Sequence, residues 1–96
     1  MVMTILEAQV AQDKWKMLED EYKQALQQLD PGITQTYLLH EFKDQTLWRI
    51  ATIWESRAAL DAMRASGITP RGVLIFRAAG AEPTLTVFEI AAWSGK

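Results

Sequence analysis

The sequence has no cysteine, a single histidine, no run of basic residues and no long apolar stretch. Without cysteine there can be no disulfides and no thiolate metal sites, and one imidazole is too few for a histidine-rich zinc or iron centre. Ten Lys and Arg against twelve Asp and Glu leave a formal charge of −2. The electrostatic footprint of a nucleic-acid binder is therefore missing. No apolar run approaches the ~20 residues of a membrane span, and no basic segment followed by an apolar one opens the chain. No membrane partner and a cytoplasmic location are the expectations.

What is present is 49% hydrophobic residues in 96, enough for one compact domain over 1–96 and unlike a disordered chain. A domain of this size removes only ~60–70% of its unfolded surface from water, so a second subunit is a natural source of one wall of any ligand cavity.

Residues 3–10 alternate, with Leu6, Ala8 and Val10 on one side and Met3, Ile5, Glu7 and Gln9 on the other, as in a strand. From Asp13 the period changes: Trp15, Leu18, Tyr22, Leu26 and Leu29 fall three and four apart on an amphipathic helix. Asp13 is placed to cap it, Glu19 precedes Lys23 by four, and Asp30-Pro31-Gly32 stops it. Ile33–Phe42 and Leu47–Trp54 flank polar residues and read as a hairpin. Ser56 caps a second helix to about Ser66, with Gly67 ending it. Residues 70–79 are open between a buried strand, Val73-Leu74-Ile75-Phe76, and a helix entered through Thr69-Pro70 and ended by Gly80; the helix is the favoured reading. Thr84–Trp93 reads as the last strand.

The order β-α-β-β-α-(α)-β is α+β, the ferredoxin-like arrangement, with an antiparallel four-stranded sheet, the first and third strands central and the helices on one face. Both faces of the strands are apolar. Helices can cover one, and a second copy of the sheet is the economical cover for the other, so a homodimer with sheets face to face is expected.

The β-α-β-β-α-β order, Pro31-Gly32 before the second strand, and above all Trp54-Glu55-Ser56-Arg57-Ala58-Ala59-Leu60-Asp61-Ala62 resemble the antibiotic biosynthesis monooxygenase (ABM) domain family of dimeric α/β barrels. The resemblance covers nearly the whole chain. It implies a homodimer with a pocket between sheet and helices. Some members of the family oxidise polyaromatic or quinol substrates with O₂ and neither metal nor flavin, some degrade haem, and many have no known activity. A possible monooxygenase without cofactors, acting on a hydrophobic aromatic or quinol-like compound, is the expectation; a non-catalytic dimeric binding or structural protein is the alternative. The haem-degrading branch relies on an Asn, Trp and His set, and this chain has no asparagine, which directs the expectation away from haem. The cofactor-free oxygenases place a Trp, an Asn and an Arg near substrate; Trp54 and Arg49 are the residues here that compare with two of them.

The residues themselves supply further candidates. Trp48 and Trp54 share one face of a strand about 20 Å apart, at ~3.3 Å per residue, and could stack a flat ring or simply fill the core. His40 is the natural general base near neutrality, with Tyr37 as a second proton carrier. A hairpin loop of two or four residues would place His40 opposite Arg49, and Tyr37 on the face of Trp48 and Trp54; a slip of one residue would reverse this. Arg49 suits either a charged network with Glu7, Glu41, Glu55 or Glu89, the favoured reading, or the capture of a substrate oxyanion. Met63 and Phe76 come from the segments that would cover the pocket and complete the substrate-binding candidates.

Overall fold

The computed structural model describes residues 1–95. Its elements are β1 (Val2–Gln9), α1 (Trp15–Ala25), β2 (Ile33–His40), β3 (Leu47–Trp54), α2 (Arg57–Ala65), α3 (Arg71–Ala78) and β4 (Thr84–Glu89), with one 3₁₀ turn, Gln12–Lys14, before α1. The four strands form an antiparallel sheet in the order β2-β3-β1-β4. The two central strands are those expected, and the fold is α+β and ferredoxin-like.

Alternation sorts the side chains. Val2, Thr4, Leu6 and Ala8 of β1 and Trp48, Ile50 and Trp54 of β3 are buried, and all lie on the side where Leu18 and Tyr22 of α1, Leu60 of α2, and Ile75 and Phe76 of α3 close the core. The core has two parts. The larger gathers Leu6, Val10, Leu18, Trp48, Ile50 and Phe76; the smaller holds Val2, Trp54 and Leu60.

Residues 71–78 are helix, which closes the alternative left open by the sequence. Gly80 ends α3 at φ +76°: Gly80 N–H donates to the Arg77 carbonyl and Ala81 N–H to the Phe76 carbonyl, the paired bonds of a Schellman close. Pro70 itself is the N-cap rather than the first helical residue. Ser56 caps α2 as expected, its Oγ accepting from Ala59 N–H at 3.1 Å.

Three expected boundaries and one expected ion pair shift. Asp13 does not cap α1; it lies inside the 3₁₀ turn, and Lys14 takes the cap position with no side-chain bond. Lys16 pairs with Asp20 at 3.2 Å, whereas the structure records no ion pair between Glu19 and Lys23. α1 stops at Ala25 rather than Leu29, because Gln27 and Gln28 bond to carbonyls three residues back, Arg71 takes the Gln28 carbonyl, and the residue before Pro31 disfavours helix. β4 stops at Glu89 rather than Trp93, because its neighbour, β1, begins at Val2, the partner of Glu89; Ile90 N–H reaches the Met1 carbonyl, and no strand follows among the described residues.

The hairpin adopts the odd register. His40 pairs with Trp48, Leu39 with Arg49 and Tyr37 with Ala51, so His40 shares the helix-side face with Trp48 and Tyr37 lies on the open face. An aspartate turn fixes this: Asp44 accepts from Thr46 N–H and Thr46 Oγ1 at 3.2 and 2.7 Å, and Leu47 N–H returns to the Asp44 carbonyl at 3.0 Å. At the other end Thr34 is an extra residue between Ile33, opposite Trp54, and Gln35, opposite Ile53.

Candidate functional site

A cavity of about 250 Å³ lies between the sheet and the helices. It occupies the gap between the two parts of the core, bordered by Leu6, Tyr22 and Ile50 from one part and by Trp54 and Leu60 from the other. Its walls are mostly apolar, with Met63 on the α2 side and Val73 and Ile75 on the α3 side.

Its floor is different. Thr36, Thr52 and Thr4 lie side by side on β2, β3 and β1, cross-strand partners in one row of the sheet. All three border the cavity. Tyr22 of α1 donates its O–H to Thr36 Oγ1 at 3.2 Å, Thr36 and Thr52 share a bond at 3.2 Å, and the Trp54 indole N–H donates to Thr4 Oγ1 at 3.2 Å. Thr4 is only 8% exposed, the one buried polar or charged residue among the described residues. Sequence reasoning missed this row because threonine in a strand is ordinary β-propensity. The available signal was its position: Thr4 stands on the core parity of Val2 and Leu6, and Thr52 on that of Ile50 and Trp54.

The residues predicted as a site fall into four places. Trp54 and Met63 border the cavity. Trp48 and His40 meet beside a shallower depression on the β2 side, their rings stacked at 3.8 Å and 12°, with Trp15 edge-on to His40 at 4.8 Å. His40 Nε2 lies 2.5 Å from the Gln45 carbonyl, a contact that asks for the proton on Nε2. Among the described residues Trp48 Nε1 is the buried side-chain nitrogen without a partner. Phe76 is fully buried in the larger core cluster and does not reach the cavity lining.

Arg49 and Tyr37 occupy the open face of the sheet. Arg49 donates to Glu7 at 2.6 Å and Glu41 at 3.3 Å, the network favoured from the sequence; the Glu7 bond, ahead of that to Glu41, holds its guanidinium more basic than usual. Tyr37 donates to Gln35 at 2.9 Å. Around them this face carries Ile5, Leu39, Ala51, Ile53 and Phe88, by the same alternation.

The lip of the cavity is charged. Arg64, Arg71, Asp30 and the pair Arg77–Glu82 border it. Arg77 and Glu82 form two bonds at 2.9 and 2.8 Å, and the Arg77 hydrogen bonds keep the Glu82 carboxyl below the usual carboxylate range. No helix is long and apolar enough to cross a membrane among the described residues.

Among solved structures the chain is similar to SnoaB, a cofactor-independent oxygenase from Streptomyces nogalater, at 15% identity and TM-score 0.72, covering 99% of this chain and 97% of that one. It is also similar to the heme-degrader MhuD from Mycobacterium tuberculosis, solved with two hemes bound in its active site, at 22% identity and TM-score 0.70 over 99% and 100% of the two chains. A protein from Methanosarcina mazei is 13% identical with TM-score 0.70, over 91% and 89%. At such identities these likenesses establish the fold. No curated protein matches the sequence. Residues 1–69, from β1 through α2 and including the Trp54–Ala62 stretch, match the family described as antibiotic biosynthesis monooxygenase. The chain belongs to the antibiotic biosynthesis monooxygenase family.

Proposed function

We propose that the protein is a cofactor-independent oxygenase whose substrate is a hydrophobic aromatic or quinol-like small molecule held in the cavity between sheet and helices. The observation that carries this reading is the cavity itself: apolar walls, one indole at the side and a row of hydroxyls on the floor. A space of about 150 Å³ with apolar lining is enough to take up benzene, so about 250 Å³ suits a fused-ring compound.

In such a reaction the activated substrate is its own electron donor. Loss of a proton gives a resonance-stabilised carbanion, which passes electrons to O₂; one oxygen atom becomes the new carbonyl of a former CH₂ and the other leaves as water, so that four electrons leave carbon and four reduce O₂. The protein has to hold the ring, exclude bulk water and stabilise the developing oxyanion. Trp54 presents an aromatic wall, Met63 and Leu60 cover the ring, and the floor hydroxyls face its oxygen. The Tyr22–Thr36–Thr52 chain offers a path for the proton, since Tyr22 and Thr36 border both the cavity and the depression beside Trp48 and His40.

A histidine-held haem does not fit these residues. The single histidine, His40, is outside the cavity and its Nε2 lies against the Gln45 carbonyl, so no imidazole faces the cavity to hold iron.

The same reading includes a homodimer through the open sheet face, where Ile5, Leu39, Ile53 and Phe88 surround the Arg49 network. Tyr37, Leu39 and Phe88 are nearly half exposed, a cost that a second sheet would remove.

The test is O₂ uptake with a panel of hydroxynaphthalenes and tricyclic ketones in the presence of chelator, with ¹⁸O₂ to follow the label. Uptake above the protein-free rate, one labelled oxygen in the product, and loss of both in Trp54→Ala are expected. Rates equal to the protein-free control across the panel would refute the oxygenase reading.

A further inference from the structure

We propose that the hydroxyls of Thr4 and of the Thr36–Thr52 pair form a donor pair on the cavity floor that binds an oxygen acceptor of the ligand, a ring carbonyl or the oxyanion derived from it. The proposal rests on the cavity of the oxygenase reading but not on turnover, and it assigns the contact with the ligand oxygen to these three threonines.

The argument is a count of protons. A threonine hydroxyl has one proton to donate and two lone pairs to accept with. Thr4 Oγ1 accepts from the Trp54 indole N–H at 3.2 Å, and an indole nitrogen can only donate, so this bond leaves the Thr4 proton unused. Among the described residues the structure assigns that proton no acceptor. Thr4 is 8% exposed, and a buried hydroxyl whose proton finds no partner is costly.

Next to it, Tyr22 donates to Thr36 Oγ1, and Thr36 and Thr52 share one bond in which either can be the donor. Whichever way that bond points, one of the two threonine protons is left over. Both threonines line the cavity, and Thr52 is the direct cross-strand partner of Thr4.

Two unused donors in one row of the sheet, at the floor of an otherwise apolar space, are what a ligand oxygen with two lone pairs can satisfy at once. The strands hold them in place without reorganisation, which is the condition for stabilising charge that develops on that oxygen. Tyr22 and Trp54, which also border the cavity, orient the Thr36 and Thr4 hydroxyls by occupying one lone pair of each. Toward the ligand oxygen they act as positioning residues, and the threonines make the contact.

The experiment uses two probes with one skeleton, tetralin and 1-tetralone, which differ by a carbonyl. Affinities are read from the Trp54 indole N–H resonance during titration of the full chain, since that group borders the cavity and bonds to Thr4. In the wild type both probes shift the resonance. Thr4→Val removes one donor, and Thr36→Val with Thr52→Val removes the other whichever way their bond points. Each is expected to lower the ketone-to-hydrocarbon affinity ratio about three- to tenfold, the range of one net hydrogen bond, while tetralin affinity stays within about twofold. Thr4→Ser keeps the hydroxyl and should restore the ratio, which a merely structural role for Thr4 does not require. A ratio unchanged in both valine variants overturns the donor pair and leaves the cavity reading standing. If neither probe moves the Trp54 signal in the wild type, the cavity reading falls and the donor pair with it.

Discussion

Replacing Gly32 by alanine probes the close approach of the turn before β2 to α2, next to the cavity-lining Ile33 and Leu60. Gly32 precedes β2 with φ +91°, and a Cβ at that position would sit 2.6 Å from Ala59 Cβ and 3.8 Å from Trp54 Cε3. Its carbonyl also accepts from Glu55 N–H at 2.8 Å, so the turn is tied to the start of α2. Two costs add. An L-residue at positive φ costs about 1–2 kcal/mol, and a methyl forced against another methyl on a capped helix costs about 1–3 kcal/mol in shifted backbone. Against them, alanine restricts the unfolded chain and returns about 0.4–1 kcal/mol. The net loss centres on about 3 kcal/mol, or roughly 12–24 °C in melting temperature at ~4–8 °C per kcal/mol for a domain this size. Urea denaturation with an unchanged m-value, alongside a thermal melt, measures it. The two costs separate in the Ala59→Gly background, where the steric part vanishes and Gly32→Ala should cost about 1–3 kcal/mol less. A loss below about 1 kcal/mol in the wild-type background, or the same loss in both backgrounds, would refute the reasoning.

Three other perturbations follow from the same structure. Ser56→Ala removes the cap bond to Ala59 N–H and should cost about 1 kcal/mol in urea denaturation; a change under ~0.3 kcal/mol would mean that α2 does not depend on its cap. The depressed Glu82 carboxyl contributes stability that is present above the ordinary glutamate pKa of ~4.3 and lost as pH falls through the lower folded value. The stability difference between wild type and Glu82→Gln should therefore be flat above about pH 5 and shrink below about pH 4; a difference that grows on acidification contradicts the pairing with Arg77. Ile5→Lys puts a charge in the middle of the open face, and sedimentation equilibrium should show self-association weakened by at least about tenfold. Undiminished association would move the interface elsewhere.

The architecture was legible because each element carried its own signal. Period two in β1 and period 3.6 in α1 separate strand from helix without tertiary information, and Ser56, Gly67 and Gly80 mark ends through local chemistry. The two C-terminal ends that shifted involve something distant: Arg71 of α3 reaching the Gln28 carbonyl beyond α1, and the start of β1 limiting β4. Nothing within 26–29 or 90–93 encodes those partners.

The site was less legible, and the reason is register. A strand sequence tells which residues share a face, but which residue stands beside which across strands depends on the turn. Here the Asp44–Thr46 turn decides it. It moves His40 from opposite Arg49 to opposite Trp48, and the one histidine becomes a stacking partner beside the shallow depression. The same pairing, continued four residues along, sets Thr36 beside Thr52, and β1 then sets Thr4 beside Thr52. A one-residue slip would put Thr36 on the open face and break the row, while leaving every strand and helix in place. The chemistry of this chain therefore depends on a turn at the far end of the hairpin from the cavity. The step from a recognisable fold to a site with two unused hydroxyl donors is made by strand pairing, a property that no single segment of the sequence contains.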